Sequence, residues 1–143
     1  MKIAIAYPPI ETWKGTPLLS QNRQFQYFND ATYVYPMVPA YAATNLRAHG
    51  YDAIWMDGIA EGWSYEEFCK QVEREGPDLL MMETKTPVVK RHWAIIADLK
   101  ARFKDLRIVI VGDHVTALPE ETLRMCPVDF ILTGGDYDFL IVN

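Results

Sequence analysis

Five short apolar runs, separated by segments with helical periodicity, constrain this chain more than any other feature. They cover residues 3–7, 51–56, 79–82, 108–111 and 130–132, all shorter than an ordinary core helix. A run without polar alternation reads as a strand buried on both faces, the situation of strands in a parallel sheet covered by helices. The intervening segments supply those helices. Residues 37–49 place Val38, Tyr41, Ala42 and Leu46 on one face, and Gly50 stops the helix. Ser64 and Glu67 form a capping box for a helix to about residue 75, ended by Gly76-Pro77. Pro87 opens a helix to about residue 103, with Trp93, Ile96, Ala97, Leu99 and Lys100 spaced for one buried face. Pro119 opens a short helix with Glu120 and Glu121 in its first turn, favourable to the helix dipole. The alternation specifies an α/β, doubly wound, Rossmann-like (flavodoxin-like) five-stranded parallel sheet with helices on both faces. The pattern does not give the strand order, and 2-1-3-4-5 is expected as the common five-stranded solution. The length of 143 residues fits one domain, read as residues 1–143.

Several function classes fall away at this stage. A net charge of −5 argues against sequence-independent nucleic-acid binding, which needs surplus Lys and Arg. No run approaches the length of a membrane span, and Pro8 cuts short the N-terminal apolar run before it resembles a signal peptide, so a cytoplasmic protein is expected. Cys69 and Cys126 lie far apart with no metal-ligand spacing and read as reduced, largely buried thiols. No Walker loop, Gly-x-Gly-x-x-Gly or Ser-His-Asp arrangement is present. The long stretch 8–36, with Trp13, Phe25, Tyr27, Phe28, Tyr33 and Tyr35, reads as a functional loop or a packing surface for another domain.

In a sheet of this kind ligands sit beyond the carboxyl ends of the strands. The loop at residues 83–87 carries Thr84 and Thr86 close to a helix start, where phosphate or amide groups are readily held. In the loop at 112–116, Gly112 permits a sharp turn and His114 and Thr116 supply donors and acceptors. Thr133-Gly134-Gly135-Asp136 is again glycine-rich, so two neighbouring loops leave a slot suited to a flat or bulky group. Lys85 and Lys90-Arg91 read as a solvated helix start, with attraction of phosphate the alternative. His92 reads as a surface residue, and His114 as either a cofactor contact or a loop-stabilising hydrogen bond. Asp113, His114, Asp136 and Asp138 are a weaker candidate for a divalent metal site than for solvated loop carboxylates.

The blocks KIAIAYPP, YAATNLRAHGYDAIWMD, GPDLLMMETKTP, VIVGDHVTALPEETL and PVDFILTGGDYDF occur in order. Together they resemble the N-terminal cobalamin-binding domain of B12-dependent radical S-adenosylmethionine enzymes, a family that includes methyltransferases and the anaerobic magnesium-protoporphyrin ester cyclase. The resemblance covers nearly the whole chain, and GDHVTALPEETL is its most specific part. It implies a base-off cobalamin whose nucleotide tail enters a slot at the strand ends. Thr84 and Thr86 would then contact the tail or corrin side chains. Gly112, Asp113, His114, Val115, Thr116, Thr133, Gly134 and Gly135 would line the slot. The chain departs from the family at Asp113, where a small residue or proline is usual, and at Gly134-Gly135-Asp136-Tyr137, where Gly-Glu-Gly-Glu is usual. The Asp-x-His-x-x-Gly signature of histidine-ligated cobalamin domains is missing after the first strand. Two distant cysteines cannot hold the iron–sulfur cluster of radical chemistry, so the cluster and S-adenosylmethionine are expected in a separate domain of a longer parent chain. The alternative is an interaction or dimerisation domain of the same fold that has lost the cofactor; a free-standing flavin or nucleotide protein fits the fold but lacks a phosphate-loop signature.

Overall fold

The computed structural model describes residues 1–10, 13–19, 26–30 and 35–143. In chain order the elements are β1 (Lys2–Tyr7), a hairpin of β2 (Thr16–Leu18) and β3 (Gln26–Phe28), α1 (Met37–Ala48), β4 (Asp52–Asp57), α2 (Tyr65–Glu75), β5 (Leu79–Glu83), α3 (Val89–Arg102), β6 (Arg107–Val111), α4 (Asp113–Ala117), α5 (Pro119–Met125), β7 (Phe130–Leu132) and α6 (Tyr137–Leu140). β4, β1, β5, β6 and β7 lie side by side in that order. Every pairing is parallel, with Lys2 opposite Asp52, Ile3 opposite Leu79, Leu79 opposite Arg107 and Val109 opposite Phe130. Counting only these strands, the order is the expected 2-1-3-4-5.

The unbroken apolar runs explain the layering, because alternate residues of one strand feed opposite faces. Ala4 and Ala6, Leu80 and Met82, and Ile108 and Ile110 pack with Phe68, Cys69 and Val72 of α2 and Trp93, Ile96 and Leu99 of α3. Their neighbours Ile3 and Ile5, Met81, and Val109 and Val111 pack on the other face with Ala42, Ala43 and Leu46 of α1 and with Tyr137 of α6. Each fully buried Ile or Leu contributes about 1.5–3 kcal/mol relative to exposure. Both cysteines are free and buried.

The helix starts follow local chemistry. Ser64 Oγ accepts from Glu67 N–H at 3.2 Å while Ser64 N–H donates to Glu67 Oε2 at 2.7 Å, completing the capping box of α2. Other sequence expectations need correction. In α1 the buried face is Pro39, Ala42, Ala43 and Leu46, while Val38 and Tyr41 are exposed. In α3 Ala97 is exposed and His92 takes a buried place instead. Part of the stretch 8–36 is the β2–β3 hairpin, and Trp13 there is exposed; Phe25 and Tyr33 lie outside the described residues. The segment expected as a loop after β6 is the short helix α4. Among the described residues no helix is long and apolar enough to cross a membrane.

Candidate functional site

All five strands run the same way, so their carboxyl ends share one edge. From β1 the chain leads first to β4 on one side and later to β5 on the other, which makes the ends of β1 and β5 the point where the winding reverses and a crevice is expected. At this point four described side chains, Tyr7, Glu83, Lys85 and Tyr137, are buried together. Glu83, the last residue of β5, is buried and accepts from the Tyr7 hydroxyl at 2.5 Å. The Tyr137 hydroxyl of α6 also donates to it. Lys85 Nζ lies 3.1 Å from Glu83 Oε1 and 3.3 Å from Asp113 Oδ2. Burial, followed by the adjoining Glu83 charge, raises the pKa of both tyrosines, so each hydroxyl keeps its proton and acts as a donor. Burial works to lower the Lys85 pKa, but the Glu83 and then the Asp113 carboxylates outweigh it, and the ammonium stays charged. Lys85 is therefore not a solvated helix residue: it is 7% exposed and neutralises a carboxylate that would otherwise be buried alone.

The edge of β6 and β7 is built differently. Gly112 follows β6 with φ +117° and ψ −177°, a conformation open essentially to glycine, and a Cβ there would collide with the Thr84 carbonyl. Its freedom thus lets two loops of the protein close on each other, with Thr84 N–H donating to Val111 O at 2.9 Å. Thr116 joins the next pair of loops. Its hydroxyl donates to Gly112 O at 3.0 Å and accepts from Gly134 N–H at 2.9 Å. Beyond that link, Cβ atoms added at Gly134 or Gly135 would meet nothing within 4 Å. Thr86, Asp113, Thr116, Thr133, Gly134 and Gly135 are all exposed along this edge.

Behind them lies a supporting layer. Thr84 is fully buried, with its Oγ1 at 2.7 Å from His92 Nδ1. His92 is also fully buried, correcting its reading as a surface residue, and burial pushes its pKa down to about 4, so the ring is neutral near pH 7. Thr86 Oγ1 lies 3.2 Å from His114 Nδ1. The His114 ring meets Trp93 edge to face at 5.8 Å, and its Nε2 stands 3.4 Å from Glu121 Oε2 without a hydrogen bond. Val115 is buried in the core beneath.

The structure therefore brings the sequence-derived residues to one edge but in two tiers. Thr86, Asp113, Thr116, Thr133, Gly134 and Gly135 face outward; Thr84, Gly112, His114 and Val115 stand behind them. Among the described residues no three His, Cys, Asp or Glu side chains form a group able to hold a metal ion, so the suggested convergence of Asp113, His114, Asp136 and Asp138 is not built. Sequence reasoning missed Tyr7, Glu83 and Tyr137. The available signal was a carboxylate closing the apolar run 79–82, at a position flanked by strands on both sides.

Compared with known proteins, the chain is 28% identical over 106 residues to an uncharacterized methyltransferase of Pyrococcus horikoshii, a match covering 73% of this chain and 23% of that protein. The chain spans about a quarter of the length of the curated relative it matches. No family model matches the chain, and no solved structure matches it.

Proposed function

We propose that this chain is a cobalamin-binding module, a single domain over residues 1–143, that holds base-off cobalamin for methyl transfer or related radical chemistry. The iron–sulfur cluster and S-adenosylmethionine of that chemistry belong to a separate radical S-adenosylmethionine domain of the parent protein. The observation that carries this reading is the open edge of β6 and β7. At Gly135 neither backbone conformation nor packing demands glycine, since a Cβ would meet nothing within 4 Å, and the exposed Thr133 and Asp136 stand on either side of the glycine pair. Open space over two adjoining glycines, with hydroxyls nearby, fits a large cofactor held mainly by backbone and hydroxyl contacts. The similarity to a methyltransferase agrees in reaction class.

When bound, cobalamin supplies a cobalt centre able to carry a methyl group. The chain's own residues bind and orient. Thr86 and Thr133 offer hydroxyls to the nucleotide tail and corrin side chains, Thr116 ties the loops that line the slot, and Gly134 and Gly135 admit the bulk of the group. Gly112, Thr84 and His114 hold the two loops in register from behind. The test is a titration of the protein with hydroxocobalamin and methylcobalamin, read by absorbance and calorimetry. Saturable binding with a base-off spectrum is expected, and Gly135→Leu should weaken it about tenfold or more by filling the slot while leaving the unfolding transition in place. Absence of saturable binding overturns the proposal.

A second reading, a cofactor-free interaction domain, is favoured by one observation. Tyr41 of α1 and Phe139 of α6 are 62% and 65% exposed and line a largely apolar hollow of about 400 Å³ with Thr44, Asn45, Ala48 and Asp138.

A further inference from the structure

Lys85 holds two carboxylates that differ in every respect except charge. Glu83 is buried, takes two tyrosine hydroxyls besides the ammonium, and is fixed at the end of a strand paired on both sides. Asp113 exposes 59% of its side chain, and Lys85 is the partner it reaches, at 3.3 Å. One positive charge is thus matched by a permanent negative partner below and an exchangeable one at the surface. An ammonium has three donors, and the outer position, held by Asp113, lies where the segment after β5 meets the start of α4.

We infer that the Asp113 carboxylate occupies, on Lys85, the place of an oxyanion of a bound phosphate group, and acts as an intramolecular competitor for it. The exchange keeps one outer anion on the ammonium but adds a negative charge to the cluster, because the displaced Asp113 carboxylate stays tethered nearby and opposes the incoming anion. Asp113 swings into the water that already covers most of it, and a phosphate or phosphodiester monoanion takes over its contact with the ammonium. The buried pair with Glu83 is undisturbed throughout, so the fold does not depend on which anion is present. Asp113 then sets how strongly this edge holds a phosphate, and Lys85 selects for one. The inference rests on the cobalamin reading only for the source of the phosphate, which would be the cofactor's nucleotide tail; free phosphate has the same chemistry.

The experiment titrates the wild-type chain and the Asp113→Asn variant with inorganic phosphate, following the backbone amide shifts of Lys85, Gly112 and position 113 by nuclear magnetic resonance. Asp113 is exposed, so the variant is expected to fold. The variant should bind phosphate about threefold more tightly, the scale expected on removing an exposed competing ion pair. Unchanged or weaker binding, or shifts confined to other residues, overturns the inference. Parallel titrations with hydroxocobalamin and with cobinamide, which lacks the nucleotide phosphate, identify the source. Tighter binding of hydroxocobalamin but not of cobinamide by the variant assigns the site to the cofactor tail. If the variant tightens phosphate alone, the inference stands with free phosphate as the ligand. If phosphate behaves as expected while neither corrinoid binds, the site stands and the cobalamin proposal falls.

Discussion

The two halves of the carboxyl edge solve opposite problems. Where β1 and β5 end, Tyr7, Lys85 and Tyr137 are buried around Glu83 and direct polar atoms to it, and Lys85 also reaches the exposed Asp113. Where β6 and β7 end, Thr116 ties two glycine loops together, and a Cβ added at Gly134 or Gly135 beyond them would meet nothing within 4 Å. The first half buries charged and polar side chains against one another; the second leaves Thr133, Asp136 and two glycines exposed to solvent. A buried ion pair gives little net stability when intact and costs much when broken. The closed half should therefore be intolerant of change and the open half tolerant, so that residues able to vary without harm to folding are the ones free to meet a ligand.

The largest break in this contrast is expected at Glu83. Glu83→Ala would leave Lys85 buried with only Asp113 to compensate it, a loss of about 4 kcal/mol readable as a lower urea midpoint at unchanged m-value. Gly112 and Gly135 sharpen the comparison within the open half. Gly112→Ala forces a Cβ into the Thr84 carbonyl at a left-handed φ and should cost about 3 kcal/mol. Gly135→Ala, facing open space, should stay within about 0.5 kcal/mol. Equal effects at the two glycines would erase the distinction between a glycine serving the fold and one free of it.

A smaller effect, and a pH-dependent one, is expected from the layer behind the edge. The pKa of His92 falls from an ordinary 6.5 to about 4 on folding. The unfolded chain therefore binds the proton more readily, and stability falls as pH drops through the window between those values. From neutrality to about pH 5 this one group should cost about 2 kcal/mol. Unfolding free energies of wild type and His92→Gln compared across that range would show the wild type falling more steeply; parallel slopes would mean the ring is not buried in its neutral form.

The strands were legible because a parallel sheet buried on both faces writes itself as continuous apolar runs, and those at 3–7, 79–82 and 108–111 leave little choice. Their order was not written in the pattern; it followed the common arrangement of five-stranded doubly wound sheets, which this chain adopts. What stayed hidden depends on neighbours distant in sequence. Lys85 looks like any charged residue before a helix until Glu83 is seen to be buried beside it. His92 follows two basic residues, and only the position of Thr84 across the turn explains its burial. Val38 and Tyr41 fit the helical period as well as Pro39 and Ala43 do, and the choice between the two faces is made by how α1 lies on β1 and β4. The candidate site was legible as a set of loops but not as two tiers, because exposure at a sheet edge is decided by which loop packs behind which.

The placement of β1 has a consequence for how the chain reaches this structure. β1 is bracketed by β4 and β5, with Lys2 opposite Asp52 and Ile3 opposite Leu79, so a strand made before both neighbours has no partner until segments some fifty and then seventy-six residues later have emerged. Units such as β5–α3–β6, whose partners are close in sequence, close at lower entropic cost and have the head start. During synthesis the apolar run at 3–7 waits with both of its edges unpaired, and that wait is the interval in which a nascent chain is most open to association with another.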